Sequence, residues 1–384
     1  MEVSIYSILM SIMWFSVFVT IFSILRRQNR FITTFSVWPL LLLFLVCIIR
    51  AFGVFEFPNT PVLQSFTVFP VIRDFLIYPL FAISGFEVSV GIALLAIWGI
   101  GSVLLLLRLI IRYAKFSKAF SRIPSTDDER LIREANELFH PKYKVKILKL
   151  DHVKVPMITG FFRPVIFFPA TETLNDFISE SLHHEWSHFV HKDLWIKLVV
   201  NVMCCLVWWN PLVYLLKKDL DHSLEVKCDM DVISQMTASE RIKYFATILH
   251  VYTEATNKQP NEPVENSPVF AAGLVSAKSD KLIKQRFKIG LNSSNKKTGH
   301  LTNILICVLL VAVIAASYAF IIQPAEFPDE ETEGAPISVI SPENAYLVDN
   351  GDGTYTLYID GNYGGDVTSI EDEPLSQLPI KTGG

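Results

Sequence analysis

The sequence predicts a multi-pass α-helical membrane protein with an inserted α+β domain and a small β-rich tail. Hydrophobic residues make up 51% of the 384 residues and charged residues only 19%, a balance that water-soluble domains seldom show. Four stretches of about 20 residues carry few charges, which is the length that crosses a bilayer as a helix. The remaining charges are segregated: thirteen acidic residues and one lysine lie from Ala325 onward, after 33 basic and 25 acidic residues.

The four predicted spans lie at about 3–25, 32–52, 88–107 and 301–322. Basic clusters follow the first and third spans and precede the fourth, and the positive-inside rule places all three in the cytoplasm. We therefore expect the N-terminus and the tail outside. The loop between the second and third spans is also outside. It is unusually apolar, so it either lies in the membrane interface or packs on the spans as a ligand-responsive element.

The sequence predicts four segments and no disulfide bonds. The five cysteines lie in apolar runs or alone, and the acidic tail contains none, so we expect five free thiols. The predicted segments are three transmembrane helices in 1–111 with an outer loop at about 55–87, a cytoplasmic domain in 112–300, a fourth transmembrane helix at 301–322, and an acidic extracellular tail with a β-hairpin in 323–384.

Local patterns give the cytoplasmic domain its predicted elements. A capping box at 125–128 precedes a helix, and a proline- and glycine-punctuated run at 155–169 indicates a β-hairpin. The stretch 199–216 is apolar and almost long enough to span, but Asn210-Pro211 in its middle favours a break. Further predictions are helices at 129–139, 171–191, 216–234 and 240–255, and a strand at 143–150.

The most specific motif is His184-Glu185-Trp186-Ser187-His188 on the helix predicted at 171–191. Histidines four residues apart on a helix project from one face and can reach one tetrahedral metal ion. The glutamate between them stands where a carboxylate can take a proton from a water on that metal. A helix with surface histidines is the plain alternative. The motif predicts a zinc site with His184 and His188 as ligands and Glu185 as the catalytic base.

A second pair of acidic residues follows on the helix predicted at 216–234. Glu225 suits the third ligand that a catalytic zinc needs, and Asp229, four residues later on the same face, suits a hydrogen bond to a ligating imidazole. An ordinary solvated helix face is the alternative for both. His222 could contact an oxyanion or be a polar surface residue. A third ligand at Glu225 excludes a single membrane crossing by 199–216, which we therefore interpret as a bent hydrophobic hairpin.

Together these residues resemble a gluzincin peptidase, and three further pieces resemble the BlaR/MecR-type regulatory metallopeptidases. The pieces are the strand-like run at 156–169, the Trp209-Asn210-Pro211-Leu212 element and a peptidase domain placed between the third and fourth spans. The resemblance covers about 1–322. It implies a gluzincin-like metallopeptidase domain with zinc on His184, His188 and Glu225, and Glu185 as base.

The resemblance also implies a signalling role in a bacterial cell membrane. An outside stimulus would activate the peptidase, which would cut a cytoplasmic protein, either a winged-helix transcriptional repressor or the chain itself, without direct contact to nucleic acid. Family members that sense β-lactams carry an outer penicillin-binding domain with a Ser-x-x-Lys nucleophile. The tail has no such motif, so we expect the penicillin-binding sensor domain to be lacking. Alternatives are a constitutive quality-control or prenyl-protein zinc peptidase, and a non-enzymatic receptor or scaffold with structural zinc.

Overall fold

The chain divides into two compact units, residues 1–324 and 325–384, and each is described by itself. The computed structural model describes residues 4–57, 60–83, 86–139, 144–151, 153, 155–170, 178–234, 236–257, 272–273, 280–292, 300–324, 342, 344–351, 354–359, 361–367, 370 and 375–382. The start of the helix predicted at 171–191 lies outside these residues.

Among the described residues, helices dominate the first unit and short strands account for most of the second. The helices are α1 (Ile5–Arg27), α2 (Asn29–Phe35), α3 (Trp38–Phe52), α4 (Val68–Ile77), α5 (Val90–Ser121), α6 (Glu129–Leu138), α7 (Ile178–Val190), α8 (Asp193–Leu206), α9 (Pro211–Ile233), α10 (Ala238–Asn257), α11 (Asp280–Asn292) and α12 (His300–Ser317). The strands are β1 (Val62–Ser65), β2 (Pro79–Ile83), β3 (Phe86–Ser89), β4 (Lys146–Leu150), β5 (Met157–Thr159), β6 (Val165–Pro169), β7 (Ala272–Gly273), β8 (Ile321–Pro324), β9 (Ala345–Asp349), β10 (Tyr355–Ile359), β11 (Asn362–Val367) and β12 (Ile380–Thr382).

Within the described ranges, two helices, α1 and α5, are long and apolar enough to cross a membrane. They correspond to the first and third predicted spans. The second predicted span is bent: α2 and α3 meet at 103° and pass the same test only as a pair. The fourth, α12, is apolar but shorter than the other two. Most of α5 is exposed, with only 6% of its most apolar window buried, which suits a helix surrounded by lipid.

The loop predicted outside the membrane is partly structured. It contains β1, α4 and the antiparallel pair β2–β3, and β1 pairs in parallel with β8. None of the residues of α4 is buried, and Phe66, Val71 and Phe75 are exposed. Exposed apolar side chains suit the membrane interface, whereas the Phe69 ring of α4 lies 6.3 Å from that of Tyr6 in α1, so both interpretations of this loop stay predictions.

The central sheet and its helices carry the elements that support the motif. Its strand order is β4-β6-β5-β7, and β5–β6 is the antiparallel hairpin predicted at 155–169. Gly160 turns the hairpin with φ +94°, and a Cβ there would lie 2.1 Å from the Arg163 carbonyl oxygen. The predicted capping box is wrong in one respect: Asp128, whose carboxylate accepts from the Leu131 N–H, caps α6. Ser125 instead bonds to Ile147 of β4.

The predicted break in the apolar stretch 199–216 is present. Helix α8 ends at Leu206, and α9 begins at Pro211 with the Asn210 side chain accepting from the Leu212 N–H at 3.0 Å. Proline fits this first helical position because its missing N–H would have no partner there. The Lys217 ammonium donates to the Asn201 side chain at 2.7 Å, so α9 turns back onto α8.

Helix α9 is shared by two hydrophobic cores. Its first half packs against α1 and α3 through Val213, Leu216 and Leu220. Its second half packs against the central sheet and α7 through Cys228 and Val232. One rigid helix therefore joins the membrane-helix bundle to the α+β part of the same unit.

The second unit contains the predicted hairpin. Strands β9 and β10 pair antiparallel within a four-stranded sheet of order β11-β10-β9-β12. Leu347, Leu357 and Leu378 form its small core. The prediction of free thiols is also confirmed, since all five cysteines are unpaired.

Candidate metal centre

Helix α7 presents the motif on its buried face. His184, Glu185 and His188 are all fully buried, and the two imidazole centroids lie 4.9 Å apart at 85°. The neighbouring Leu182 and Trp186 belong to the core beside the central sheet. The plain alternative of surface histidines is therefore wrong.

Helix α9 brings Glu225 to the same point. Its Oε2 lies 3.4 Å from His184 Nε2, and its Oε1 lies 3.6 Å from His188 Nε2. Glu225 and Asp229 are both buried, so the alternative of a solvated helix face is also wrong. The three side chains predicted as ligands converge, although they are 41 residues apart in sequence at their widest.

The atoms that face one another here lack hydrogen-bond partners among the described residues. The Nε2 atoms of both histidines and both carboxylate oxygens of Glu225 are buried without a hydrogen-bond partner in the described part of the chain. Buried polar atoms are almost always satisfied, so a cluster of four orphans requires an explanation. Two imidazole nitrogens and a carboxylate are a donor set that Zn²⁺ favours, and the residues present fit a zinc ion.

Asp193 fixes the orientation of His188. Helix α7 ends at Val190. Two residues later Lys192 adopts a left-handed conformation, φ 59°, and α8 begins at the next residue, Asp193. That turn places Asp193 Oδ2 2.8 Å from His188 Nδ1. With the proton on Nδ1, the lone pair stays on Nε2, where a metal needs it. Lys227 supports the carboxylate from the other side at 3.3 Å.

Tyr244 fixes the orientation of His184. Its hydroxyl lies 2.7 Å from His184 Nδ1 and donates to Asp229 Oδ1 at 2.8 Å. This arrangement lets His184 Nδ1–H donate to the hydroxyl oxygen, which again leaves Nε2 free. The direct hydrogen bond predicted for Asp229 is not formed, since its Oδ1 is 3.6 Å from Nδ1. The Tyr244 hydroxyl lies between them and connects the Asp229 carboxylate to His184 through two hydrogen bonds.

Cys228 is a further side chain at this site that could bind a metal ion. One ligand atom from each of His184, His188 and Cys228 lies within 4.8 Å of the others. The thiol is 3.2 Å from the His184 carbonyl oxygen and 3.5 Å from its Nδ1. The Nδ1 atom of His184 already faces Tyr244. Glu225 faces the Nε2 atoms of both histidines, which have no hydrogen-bond partner among the described residues, so Glu225 is better placed than Cys228 to be the third ligand. Burial alone would raise the pKa of Cys228, but the two histidines lower it to about 7.

Two cations hold Glu225 ionised. Lys197 Nζ lies 3.6 Å from its Oε1, and Arg286 Nη1 lies 3.7 Å from its Oε2. Burial would raise the pKa of Glu225, yet His188, His184 and Lys197 outweigh burial and hold it well below its ordinary value. An ionised carboxylate is the form that binds a metal.

Glu185 has the opposite character. Both of its oxygens are buried without a hydrogen-bond partner among the described residues. Burial is the largest influence and raises its pKa to about 8, against the lowering effect of the two histidines. A carboxylate with a raised pKa is a stronger base near neutral pH, which is the property that a general base needs.

His222 is buried, so its interpretation as a polar surface residue is wrong. Its Nε2 hydrogen-bonds to the Gln285 side chain at 3.2 Å. Burial, with Arg26 and Arg286 nearby, lowers its pKa to about 4, so the ring is neutral at physiological pH. A contact from His222 to an oxyanion stays a prediction.

Sequence reasoning missed five groups at this site. Asp193 follows His188 by five residues across a helix end, and Cys228 follows Glu225 by three residues on one helix face, so both have a local signal. Lys197, Tyr244 and Arg286 reach the site from α8, α10 and α11 and have none.

A family model described as BlaR1 peptidase M56 matches residues 3–289. The methicillin resistance mecR1 protein of Staphylococcus aureus is 30% identical over 174 residues, which cover 44% of this chain and 30% of that protein. The regulatory protein BlaR1 of Bacillus licheniformis is 26% identical over 166 residues, 41% of this chain and 27% of the relative. The regulatory protein BlaR1 of Staphylococcus aureus is 24% identical over 234 residues, which cover 57% of this chain and 38% of that protein.

The chain thus spans less than two fifths of the length of each of these relatives. The family match, in contrast, covers about three quarters of the chain and includes α7, α9 and the convergent side chains on them. The chain therefore belongs to the BlaR1 peptidase M56 family.

Proposed function

We propose that the chain is a membrane-bound zinc endopeptidase that acts in signal transduction. The observation that carries the proposal is a set of four buried atoms on His184, His188 and Glu225 that have no hydrogen-bond partner among the described residues and lie beside the buried Glu185. Membership of a family whose curated relatives are named as regulatory and resistance proteins supports the signalling role. An outside stimulus would lead to proteolysis of a cytoplasmic protein and to release of a transcriptional repressor.

His184, His188 and Glu225 would hold the zinc ion. When bound, zinc polarises a carbonyl and makes water a better nucleophile near neutral pH. The protein's own contribution is to keep both Nε2 lone pairs available, through Asp193 and Tyr244, and to keep Glu225 ionised. Three protein ligands leave a fourth position open, as a catalytic site requires.

Glu185 would carry the proton transfers. Its carboxylate takes a proton from the attacking water and delivers that proton to the nitrogen of the leaving amine. Its burial excludes bulk water, which keeps its pKa raised to about 8. The same raised pKa makes the protonated form a competent acid for the second transfer.

The topology proposed from the charge pattern places this centre in the cytoplasm. Helices α1, α2–α3, α5 and α12 would be the four spans, with the N-terminus and the second unit outside. The inner clusters would be the basic residues at the end of α1 and the start of α2, those at the end of α5 and those of α11. The cytoplasmic substrate would reach α7 from the side where these clusters lie.

A second candidate is a receptor whose zinc is structural, and Cys228 is the observation that favours it. A thiolate from Cys228 added to His184, His188 and Glu225 would give four protein ligands and close the site. Such a centre would hold the fold without hydrolysing a peptide. Asp229 is no candidate for this fourth position, because Arg286 and Tyr244 occupy both of its oxygens.

The experiment compares cytoplasmic proteins cut in cells that carry the wild type or Glu185→Gln. We expect the variant to bind zinc normally and to cut nothing, because the amide cannot accept a proton. Glu180→Gln is the matched control: it removes a carboxylate from the same helix, where Glu180 pairs with Lys243 at 2.9 Å. Cleavage retained in Glu185→Gln would contradict the peptidase mechanism. Fragments that appear without any stimulus would favour a constitutive quality-control peptidase.

A further inference from the structure

Helix α11 inserts an arginine into the metal centre from outside the motif. Arg286 Nε donates to Asp229 Oδ2 at 2.6 Å and Nη2 donates to Asp229 Oδ1 at 2.7 Å, a two-pronged pair. Its Nη1 lies 3.7 Å from Glu225 Oε2. Arg286 is 2% exposed. Arginine forks of this kind fix the geometry of a carboxylate as well as its charge.

The preceding residue of α11 binds the end of the first membrane helix. Gln285 Nε2 donates to the Arg26 carbonyl oxygen at 3.0 Å and to Asn29 Oδ1 at 2.9 Å. Its Oε1 accepts from Arg26 Nη1 at 3.2 Å. These contacts join residues more than 250 positions apart and place α11 against the α1–α2 junction.

A buried ion pair ties the same junction to α9. Arg26 Nη2 lies 2.6 Å from Asp219 Oδ1, and both side chains are buried. Because Asp219 and Glu225 lie on one helix, the α1–α2 junction grips both α9 and α11 beside the metal centre.

Close packing links α11 to the helix that carries Tyr244. Gly290 of α11 lies against Phe245 of α10, and a Cβ at Gly290 would lie 2.0 Å from the phenylalanine ring. Phe245 is buried and adjacent to Tyr244. A displacement of α11 therefore shifts Arg286 directly and shifts Tyr244 through this contact.

We propose that Gln285 and Arg286 are positioning residues that couple the α1–α2 junction to the metal centre. Gln285 senses the junction, and Arg286 sets the position of Asp229 and, through Tyr244, of His184. The proposal rests on the proposed function in one respect, since it assumes that His184, His188 and Glu225 hold a divalent metal. It adds a mechanical connection from the first membrane helix to that metal.

The first test is a titration of the full chain, freed of metal in detergent, with Co²⁺ while the visible spectrum is recorded. Loss of a side chain that orients a ligating histidine commonly lowers metal affinity by about 10–100-fold. We expect Arg286→Met to weaken Co²⁺ binding by about tenfold, the low end of that range, and to change the d–d bands, which report coordination geometry. Arg286→Lys keeps the charge without the fork and should fall between. Lys284→Gln and Lys288→Gln remove an exposed charge from the same helix and should match the wild type.

The second test measures the coupling. Asn29→Ala and Gln285→Ala should each weaken Co²⁺ binding by about 3–10-fold. The double variant should be no weaker than Gln285→Ala, because the contact that Asn29→Ala removes is one of those that Gln285→Ala removes. Gln28→Ala is the matched control, since Gln28 is exposed and its side chain makes no capping bond. Single effects that multiply would overturn the coupling, as would an Asn29→Ala protein with wild-type affinity.

The outcomes separate the two proposals. A wild-type chain that binds no Co²⁺ would refute the metal site itself. A wild type that binds Co²⁺, with Arg286→Met and Arg286→Lys identical to it in affinity and spectrum, would overturn only the positioning role. The spectrum distinguishes positioning from a general loss of stability, because a merely destabilised protein keeps the wild-type bands in its folded fraction.

Discussion

The two histidines of the metal centre are held in different ways. His188 is oriented by Asp193, only five residues away, which the α7–α8 turn brings back to 2.8 Å. His184 is oriented by Tyr244 of α10. The Tyr244 hydroxyl donates a hydrogen bond to Asp229 of α9, and Arg286 of α11 donates to the same carboxylate. One support is local and direct, whereas the other is a relay through three helices.

This difference separates a fixed part of the centre from an adjustable one. The position of Asp193 follows from the turn between two consecutive helices, so little outside them can change it. The position of Tyr244 depends on α9, α10 and α11 together, and α11 also contacts the inner end of α1. We therefore expect a signal from the membrane helices to change the position of His184 more readily than that of His188.

The largest expected effect breaks the direct support. Asp193→Ala removes the acceptor for His188 Nδ1–H and leaves the buried Lys227 without its carboxylate. We expect zinc affinity, measured by competition with a chromophoric chelator, to fall by about 10–100-fold. Asp231→Ala removes an exposed carboxylate on α9 that pairs with His191 at 3.5 Å and should leave affinity unchanged. Unaltered affinity in Asp193→Ala would show that the direct support is dispensable.

A smaller effect is expected from the relay. Tyr244→Phe removes the hydroxyl between His184 and Asp229, but Asp229 Oδ1 is already 3.6 Å from His184 Nδ1 and can close that gap. We expect a loss of at most about tenfold in zinc affinity, the low end of the range for such partners. Tyr214→Phe, at an exposed tyrosine of α9, is the control. A loss larger than that of Asp193→Ala would reverse the ranking of the two supports.

The smallest effect is expected outside both supports. Asp128→Ala removes the cap of α6 and should lower the free energy of unfolding by about 1 kcal/mol, with zinc affinity unchanged. The hydrogen bond from Lys149 and the Leu131 N–H lower the pKa of Asp128. Its contribution is therefore complete above the ordinary carboxyl pKa and is lost as pH falls through the lowered one. Chemical denaturation at neutral and acidic pH, with the exposed Asp127→Ala as control, measures this. Equal losses at both pH values would contradict the linkage.

The sequence predicted the parts of the centre that periodicity can describe. Helical spacing placed His184, Glu185 and His188 on one face, and the need for a third ligand correctly predicted that the apolar stretch 199–216 is broken at Asn210-Pro211. The predicted capping box makes Ser125 the cap of α6, whereas the cap is Asp128. Both residues precede the helix, and only the backbone geometry distinguishes them.

Long-range packing determines what the sequence could not show. Tyr244 and Arg286 follow Glu185 by 59 and 101 residues, and no local pattern indicates that α10 and α11 return to α7. From the sequence Cys228 is an isolated thiol, because its distance from His184 depends on how α9 packs on α7. The bend of 103° between α2 and α3 likewise depends on packing, since hydropathy alone describes one continuous span.

X-ray absorption at the zinc edge of the full chain tests the central claim most directly. If zinc is held by His184, His188 and Glu225 with one open position, the spectrum shows only nitrogen and oxygen neighbours, at about 2.0–2.2 Å. The Cys228→Ser protein then gives the same spectrum. A sulfur neighbour at about 2.3 Å that disappears in Cys228→Ser would show four protein ligands, and would contradict an open catalytic centre.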